Sequence, residues 1–384
     1  MEIIRASETA DFLALVPALV GRNPERSIIF VPFHGTRTFP TACRFDLPVR
    51  GRRSDMRAVV HAALGILSRI PDADRVDVVV YTDRSFEGER GIPHLELGRA
   101  AFEGLRRAGF GVGLAACVAA DGWGDYRDRT HRDVGRPLAE IEESPIAARA
   151  RGLGADDDLG PGIPDADPAA RARVERLLGF EKSTPEDDGQ ADELVAMVRD
   201  IPTLDLYDLA LDGGDDPAMI ALALEVFDSP ADRDAALLYF AFGREIGERT
   251  VASQARWEAT CAESGLSMDE AVAAELASGE RSEDVEAADL LMGLTDVVPD
   301  RDRLTSLIRR LRTLVAHAPR EMHAAPLTML GWALWACGSG SAAGEVLDRA
   351  LPVAPGYGMA RLVRTLVDSG VVPEWLYSRL DPAL

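Results

Sequence analysis

Apolar residues follow two rhythms along this chain, and the change of rhythm divides it. Up to about Ala120, short β-branched runs alternate with helical stripes. Phe12, Leu13, Val16 and Leu19 share one face of a helix opened by Ser7-Glu8-Thr9 and ended by Gly21 and Pro24. Ser27 to Phe33 reads as a buried strand and His34-Gly35-Thr36 as a turn. Thr38 to Leu47 reads as a second, antiparallel strand, in which Pro40 demands an edge or a bulge. Ser54 is placed to cap a helix to about Ile70, striped by Met56, Val59, Val60, Ala63, Leu64 and Leu67. Val76-Asp77-Val78-Val79-Val80-Tyr81 is the clearest strand; a helix from Leu95 to Ala108 and a strand from Gly111 to Ala120 follow. The order α-β-β-α-β-α-β predicts an α/β N-terminal domain over residues 1–150, a small mixed sheet covered by helices.

The strand rhythm then stops. Two acidic stretches follow, Asp156, Asp157, Asp158, Asp165 and Asp167, then Glu181, Glu186, Asp187, Asp188, Asp192 and Glu193, and most of both falls in 151–190. Gly and Pro punctuate both stretches, neither has the spacing of a calcium loop, and they read as a solvated acidic linker with helix starts. Over 191–384 helix-length segments are divided by Pro202, Gly213-Gly214, Ser229-Pro230, Ser264-Gly265, Pro299, Pro319, Gly338 and Pro355, which predicts an all-α C-terminal region. Within it Leu327-x2-Leu330-Gly331-x2-Leu334, Ala343-x3-Leu347, Ala350 and Pro355 keep tetratricopeptide (TPR) spacing, with leucines where that repeat has aromatics. A TPR-like helix pair is expected over 324–357, with Gly331 and Ala343 at its close approach. Trp332, Trp335, Tyr357, Trp375 and Tyr377 read as core packing rather than as a peptide-binding surface.

Charge narrows the function classes. Among 384 residues, 64 are acidic and 42 basic, a net of -22 that opposes binding to nucleic acid or anionic lipid. Arg50, Arg52, Arg53 and Arg57 read as a solvated approach to a helix rather than a basic patch. Cys43, Cys117, Cys261 and Cys337 form no C-x-x-C pair, so no zinc module or disulfide framework is indicated. Met1-Glu2-Ile3-Ile4-Arg5 does not open a signal peptide, and Ala324 to Cys337 is too short for a bilayer. A cytoplasmic protein without membrane association is expected.

The candidate chemistry sits at strand ends, where open α/β sheets bind ligands. One strand ends Tyr81-Thr82-Asp83-Arg84-Ser85, and another runs into Asp121-Gly122-Trp123-Gly124-Asp125. If the two are parallel, Arg44, Asp46, Thr82, Asp83 and Asp121 can form a polar cleft with Trp123 as its apolar wall. Such carboxylates can hold Mg²⁺, and the arginine can meet an anion. His94 and His131 are the candidate acid or base. The plainer reading is that Asp83 and Asp121 cap loops or pair with Arg84 or Arg127. Gly109-Phe110-Gly111-Val112-Gly113 lacks the Lys-Ser/Thr of a P-loop, and no G-x-S-x-G or H-E-x-x-H occurs. The leading expectation is a binding or scaffold protein that engages a protein partner through its helical region, without a cofactor. The alternative is a Mg-dependent nucleotide- or phosphate-handling enzyme at the strand ends.

Two blocks carry a family resemblance. The first is Phe12 to Gly21 with Pro24, Glu25, Ser27-Ile28 and Arg44-Phe45-Asp46-Leu47-Pro48. The second is Leu327 to Leu330, Gly338, Ala343, Leu347, Ala350-Leu351, Pro355-Gly356-Tyr357, Ala360, Leu362, Gly370, Pro373 and Trp375. Together they resemble an actinobacterial family known as the domain of unknown function DUF4192, nearly end to end. Many members carry a cysteine-rich segment after the tryptophan matching Trp123. This chain has Tyr126-Arg127-Asp128-Arg129-Thr130-His131 there, so a metal or redox role for that segment is not implied. The resemblance implies no established activity.

Overall fold

The computed structural model of the chain describes residues 6, 8–20, 24–39, 42–48, 52–128, 130, 133–152, 159–181, 185–266 and 283–378. It comprises two compact units, Met1–Gly160 with the residues from Tyr377, and Pro161–Leu376.

The first unit runs α1 (Thr9–Val20), β1 (Ser27–His34), β2 (Arg37–Thr38), β3 (Cys43–Asp46), α2 (Arg53–Leu67), β4 (Arg75–Tyr81), α3 (Phe86–Glu89), α4 (Leu95–Arg107), β5 (Ala115–Val118), β6 (Trp123–Asp125), α5 (Ala139–Glu142) and α6 (Ala147–Gly152). One mixed sheet results, in the order β2-β1-β4-β5-β6, with β3 also paired to β1. β1 is antiparallel to β4, while β4 and β5 are parallel and joined through α4. Side chains alternate along β4, so its two faces enter two cores. Val76, Val78 and Val80 pack with Val60, Ala63 and Leu67 of α2 and Leu97, Ala101 and Leu105 of α4. Val79 packs with Phe12, Leu13 and Val16 of α1.

Local chemistry moves several boundaries from those expected. The expected second strand is two pieces, β2 and β3, each antiparallel to β1; Pro40 lies outside the described residues. α2 begins one residue before Ser54, whose hydroxyl bonds the Asp55 carboxylate at 2.9 Å instead of capping, and it ends at Leu67. β5 starts only at Ala115 because the loop before it is held by a side chain. The Gly113 and Leu114 N–H groups donate to Asp77 Oδ1 at 2.8 and 2.9 Å. Burial raises the Asp77 carboxyl above its ordinary value despite those bonds and nearby Arg75. β6 lies in a stretch that looks like a turn; it is a strand because β5 offers it an open edge, with Val118 opposite Trp123.

In the second unit every described element is helical: α7 (Pro168–Leu177), α8 (Pro185–Val198), α9 (Thr203–Asp212), α10 (Pro217–Asp228), α11 (Pro230–Phe242), α12 (Arg244–Ser264), α13 (Glu283–Leu291), α14 (Arg301–His317), α15 (Ala324–Ala336), α16 (Gly340–Ala350) and α17 (Gly358–Asp368), with a single 3-10 turn at Arg320–Met322. Several apparent breaks are helix starts. Asp167, Asp216 and Ser229 each cap a helix whose first residue is proline, where the missing N–H costs nothing. Within the acidic stretch Asp187 is not solvated as expected but buried, paired with Arg176 at 2.8 Å and Arg173 at 3.6 Å; Asp156, Asp157 and Asp158 lie outside the described residues. Buried Arg310 of α14 donates to the carbonyls of Ala210, Gly214 and Met219, which closes the turn between α9 and α10. No helix among the described residues is long and apolar enough to cross a membrane.

α15 is buried along its whole length. Trp335 and Trp375 stack edge to face at 6.2 Å, and both are core residues, as is Trp332. α15 and α16 form the expected helix pair. A Cβ at Gly331 would come within 2.8 Å of the Leu347 side chain, and Ala343 is fully buried. Gly331→Leu is therefore expected to lower unfolding stability by about 1–3 kcal/mol through overpacking, read by thermal denaturation; an unchanged melting temperature would contradict this packing.

Candidate functional site

The parallel pairing of β4 and β5 brings their carboxyl ends side by side. Thr82 N–H continues the ladder to Val118 O at 3.0 Å, and Ala120 N–H returns to Arg84 O at 2.9 Å. Between Thr82 and α4 the chain makes α3, whose start is capped twice. Ser85 Oγ accepts from Gly88 N–H at 3.0 Å, and the Asp121 carboxylate accepts from Phe86 and Glu87 N–H at 2.8 and 3.2 Å.

The next turn, Arg90 to His94, opens a cleft of about 900 Å³. Arg90 (φ 52°) and His94 (φ 54°) are both left-handed, a conformation that costs a non-glycine residue about 1–3 kcal/mol. His94 sits at the cap position of α4 but gives no cap hydrogen bond. Its Nε2 lies 3.1 Å from Thr82 Oγ1 instead. Leu95, Glu96 and Leu97, the first turn of α4, therefore line the cleft with no side chain capping them. Burial, reinforced by nearby Arg84, lowers the His94 pKa, so the ring is neutral at neutral pH. Tyr126 also lines the cleft. Its hydroxyl donates to Pro93 O at 2.9 Å, and its ring lies on Gly98, where a Cβ would come within 2.3 Å.

Four arginines and four carboxylates line the cleft. Arg84 pairs with Glu89 at 3.0 Å and Arg127 with Asp125 at 2.7 Å, while Glu96 lies 3.9 Å from Arg53. Arg90 and Arg99 are exposed and make no ion pair with a described residue. Met56, Ile92 and Leu95 add apolar surface.

The residues expected at the site separate. Thr82 and His94 meet beside the cleft. Asp121 is used in capping α3. Asp83 is exposed, 3.9 Å from Arg26. Arg44 and Asp46 pair with each other at 3.1 Å on β3, two strands away. Trp123 is not a cleft wall: it is buried on the α1 face of the sheet, with Arg136 stacked 4.5 Å from its ring centre. The apolar wall comes from the opposite face because successive strand residues alternate sides. His131 lies outside the described residues. Among the described residues no three His, Cys, Asp or Glu side chains gather as a metal site. Arg90, Arg99 and Tyr126 were not singled out from sequence. The available signal was a helix start, Gly91-Ile92-Pro93-His94, with none of the usual capping residues.

Two outcomes are expected. Asp121→Ala should cost about 1 kcal/mol of stability by removing a carboxylate cap, and Asp83→Ala less than about 0.5 kcal/mol, both read by urea denaturation. His94 is depressed in the folded state, so its contribution to stability is complete above the ordinary imidazole value of 6.5 and is lost as the pH falls below it. His94→Asn should flatten that part of the stability-versus-pH curve.

The family model described as "Domain of unknown function (DUF4192)" matches residues 10–242 and 223–374. Neither a curated protein nor a solved structure gives a significant match. With the family's match running through both units, the chain belongs to the DUF4192 family.

Proposed function

We propose that this chain is a binding protein whose α/β unit receives a small organic anion, carrying a phosphate or carboxylate, in the cleft at the first turn of α4. The observation that carries the reading is the pairing of that turn, without a side-chain cap, with two exposed arginines, Arg90 and Arg99, that form no ion pair with a described residue. A helix start offers N–H donors and positive potential to an anion. Arg90 and Arg99 add charge-assisted donors, and Met56, Ile92 and Tyr126 supply the apolar contact an organic ligand needs. The cleft's size suits such a ligand.

The reading favours binding over catalysis. Asp46 is paired, Asp83 stands apart and Asp121 is committed to α3, so these three strand-end carboxylates do not converge on one ion. The helical unit is the partner-binding half in this reading, and the α15–α16 pair, with its tetratricopeptide spacing, is its scaffold. Buried Cys43 and Cys117, each pushed up to about 12 by burial, are unreactive thiols compatible with the cytoplasm. The net charge of -22 fits a protein that takes neither nucleic acid nor membrane as partner.

Calorimetric titration with inorganic phosphate, nucleoside phosphates and dicarboxylates tests the cleft. At least one organic anion should bind the wild-type chain, and Arg90→Ala/Arg99→Ala should weaken it by about tenfold or more. Asp83→Asn should leave it unchanged. Absence of binding across the panel, or equal binding by the double variant, would refute the reading.

A further inference from the structure

The helical unit presents a second surface, apolar and acidic, that the cleft does not explain. Leu294, Val297 and Val298, between α13 and α14, are 58, 49 and 44 % exposed. Val371, 38 % exposed, belongs to the segment after α17. The two segments adjoin, because Glu374 N–H donates to Gly293 O at 2.8 Å.

Both segments are held from beneath by buried tryptophans. Trp332 Nε1 donates to Leu291 O and Trp335 Nε1 to Val371 O, each at 2.8 Å. Gly293 takes a left-handed φ of 69° where a Cβ would come within 2.7 Å of Trp335 and 3.0 Å of Pro373. At the far end Asp300 N–H donates to Ala241 O at 2.7 Å. The backbone that carries these apolar side chains is thus anchored at both ends before any partner arrives, which lowers the ordering cost of binding.

Charge selects the partner. Asp296 lies inside the exposed segment, and Asp300 and Asp302 follow it, all three exposed, with Arg301 as the one basic residue between them. Arg303 is turned away, with its guanidinium 4.5 Å from the Tyr239 ring centre and 4.0 Å from Asp208. We propose that this surface docks a basic protein segment, whose apolar side chains cover Leu294, Val297 and Val298 while flanking Lys or Arg residues meet the carboxylates. A second copy of this chain would set carboxylate against carboxylate, and an anionic membrane would meet the same repulsion.

Panning the full-length chain against a phage-displayed random peptide library tests the proposal, with an enriched peptide then titrated by fluorescence anisotropy. Enrichment of apolar residues flanked by Lys and Arg is expected, with binding that weakens in high salt. Val297→Asp/Val298→Asp should weaken the peptide by about tenfold or more, and Asp296→Lys should weaken it severalfold. All three positions are exposed, and circular dichroism checks that the variants fold. Arg90→Ala/Arg99→Ala should bind the peptide normally, so failure here and failure of the cleft reading are separable. No enrichment, an acidic consensus, or equal binding by the Val297/Val298 variant would overturn the proposal. So would a dimer, or adsorption to anionic vesicles, that this same variant abolishes.

Discussion

A strand that is apolar on both faces has to be covered on both faces, and β4 imposes that condition on the whole α/β unit. Its five central residues are all buried. Four are apolar, and the fifth, Asp77, is satisfied by two N–H groups of the loop leading into β5. α1 must lie on one side and α2 with α4 on the other, and β1 and β5 must occupy both edges. Gly104 lets α4 close onto α2, since a Cβ there would stand 2.7 Å from Val60. Little freedom remains for the connections.

The cleft follows from this arrangement. A crossover helix between parallel strands begins near the carboxyl end of the first strand, so α4 must start beside Thr82. The segment in between is folded onto that edge by α3, and Asp121, across the β5–β6 turn, holds α3 in place. The left-handed conformations at Arg90 and His94 then bring α4 in without a side-chain cap. Strain of this kind persists only where its surroundings enforce it. Here the Thr82–His94 contact and the Tyr126–Pro93 hydrogen bond do so on either side of the turn.

In the helical unit the corresponding condition is the complete burial of α15. Such a helix has no solvent face to carry its polar groups, so its tryptophan N–H groups must find acceptors inside the unit. Trp332 and Trp335 find them on Leu291 and Val371, and Trp375 donates to Ala336 at 3.0 Å. Satisfying those donors is what fixes the chain ends bordering the acidic, apolar surface. The core and the exposed loop are therefore one packing problem.

Much of this was legible in the sequence because it rests on local pattern. The valine run of β4, the stripes of α1, α2 and α4, the loss of strand rhythm after Ala120, and the helix pair with its small residue at Gly331 each involve residues close in the chain. So did the parallel pairing of β4 with β5, which a helix between two strands implies. Other features depended on which faces and edges came together. Trp123-Gly124-Asp125 became a strand only because β5 had an edge to pair with it. Strand parity sent Trp123 to the α1 face, away from the cleft it was expected to wall. Asp83 and Asp121 both stand at the correct end of the sheet, yet one points to solvent and the other into the start of α3. Met56, Arg90, Arg99 and Tyr126 come from different elements and loops. Periodicity reports the face a residue takes within its own element, whereas convergence of side chains depends on register and crossover between elements, which tertiary packing alone decides.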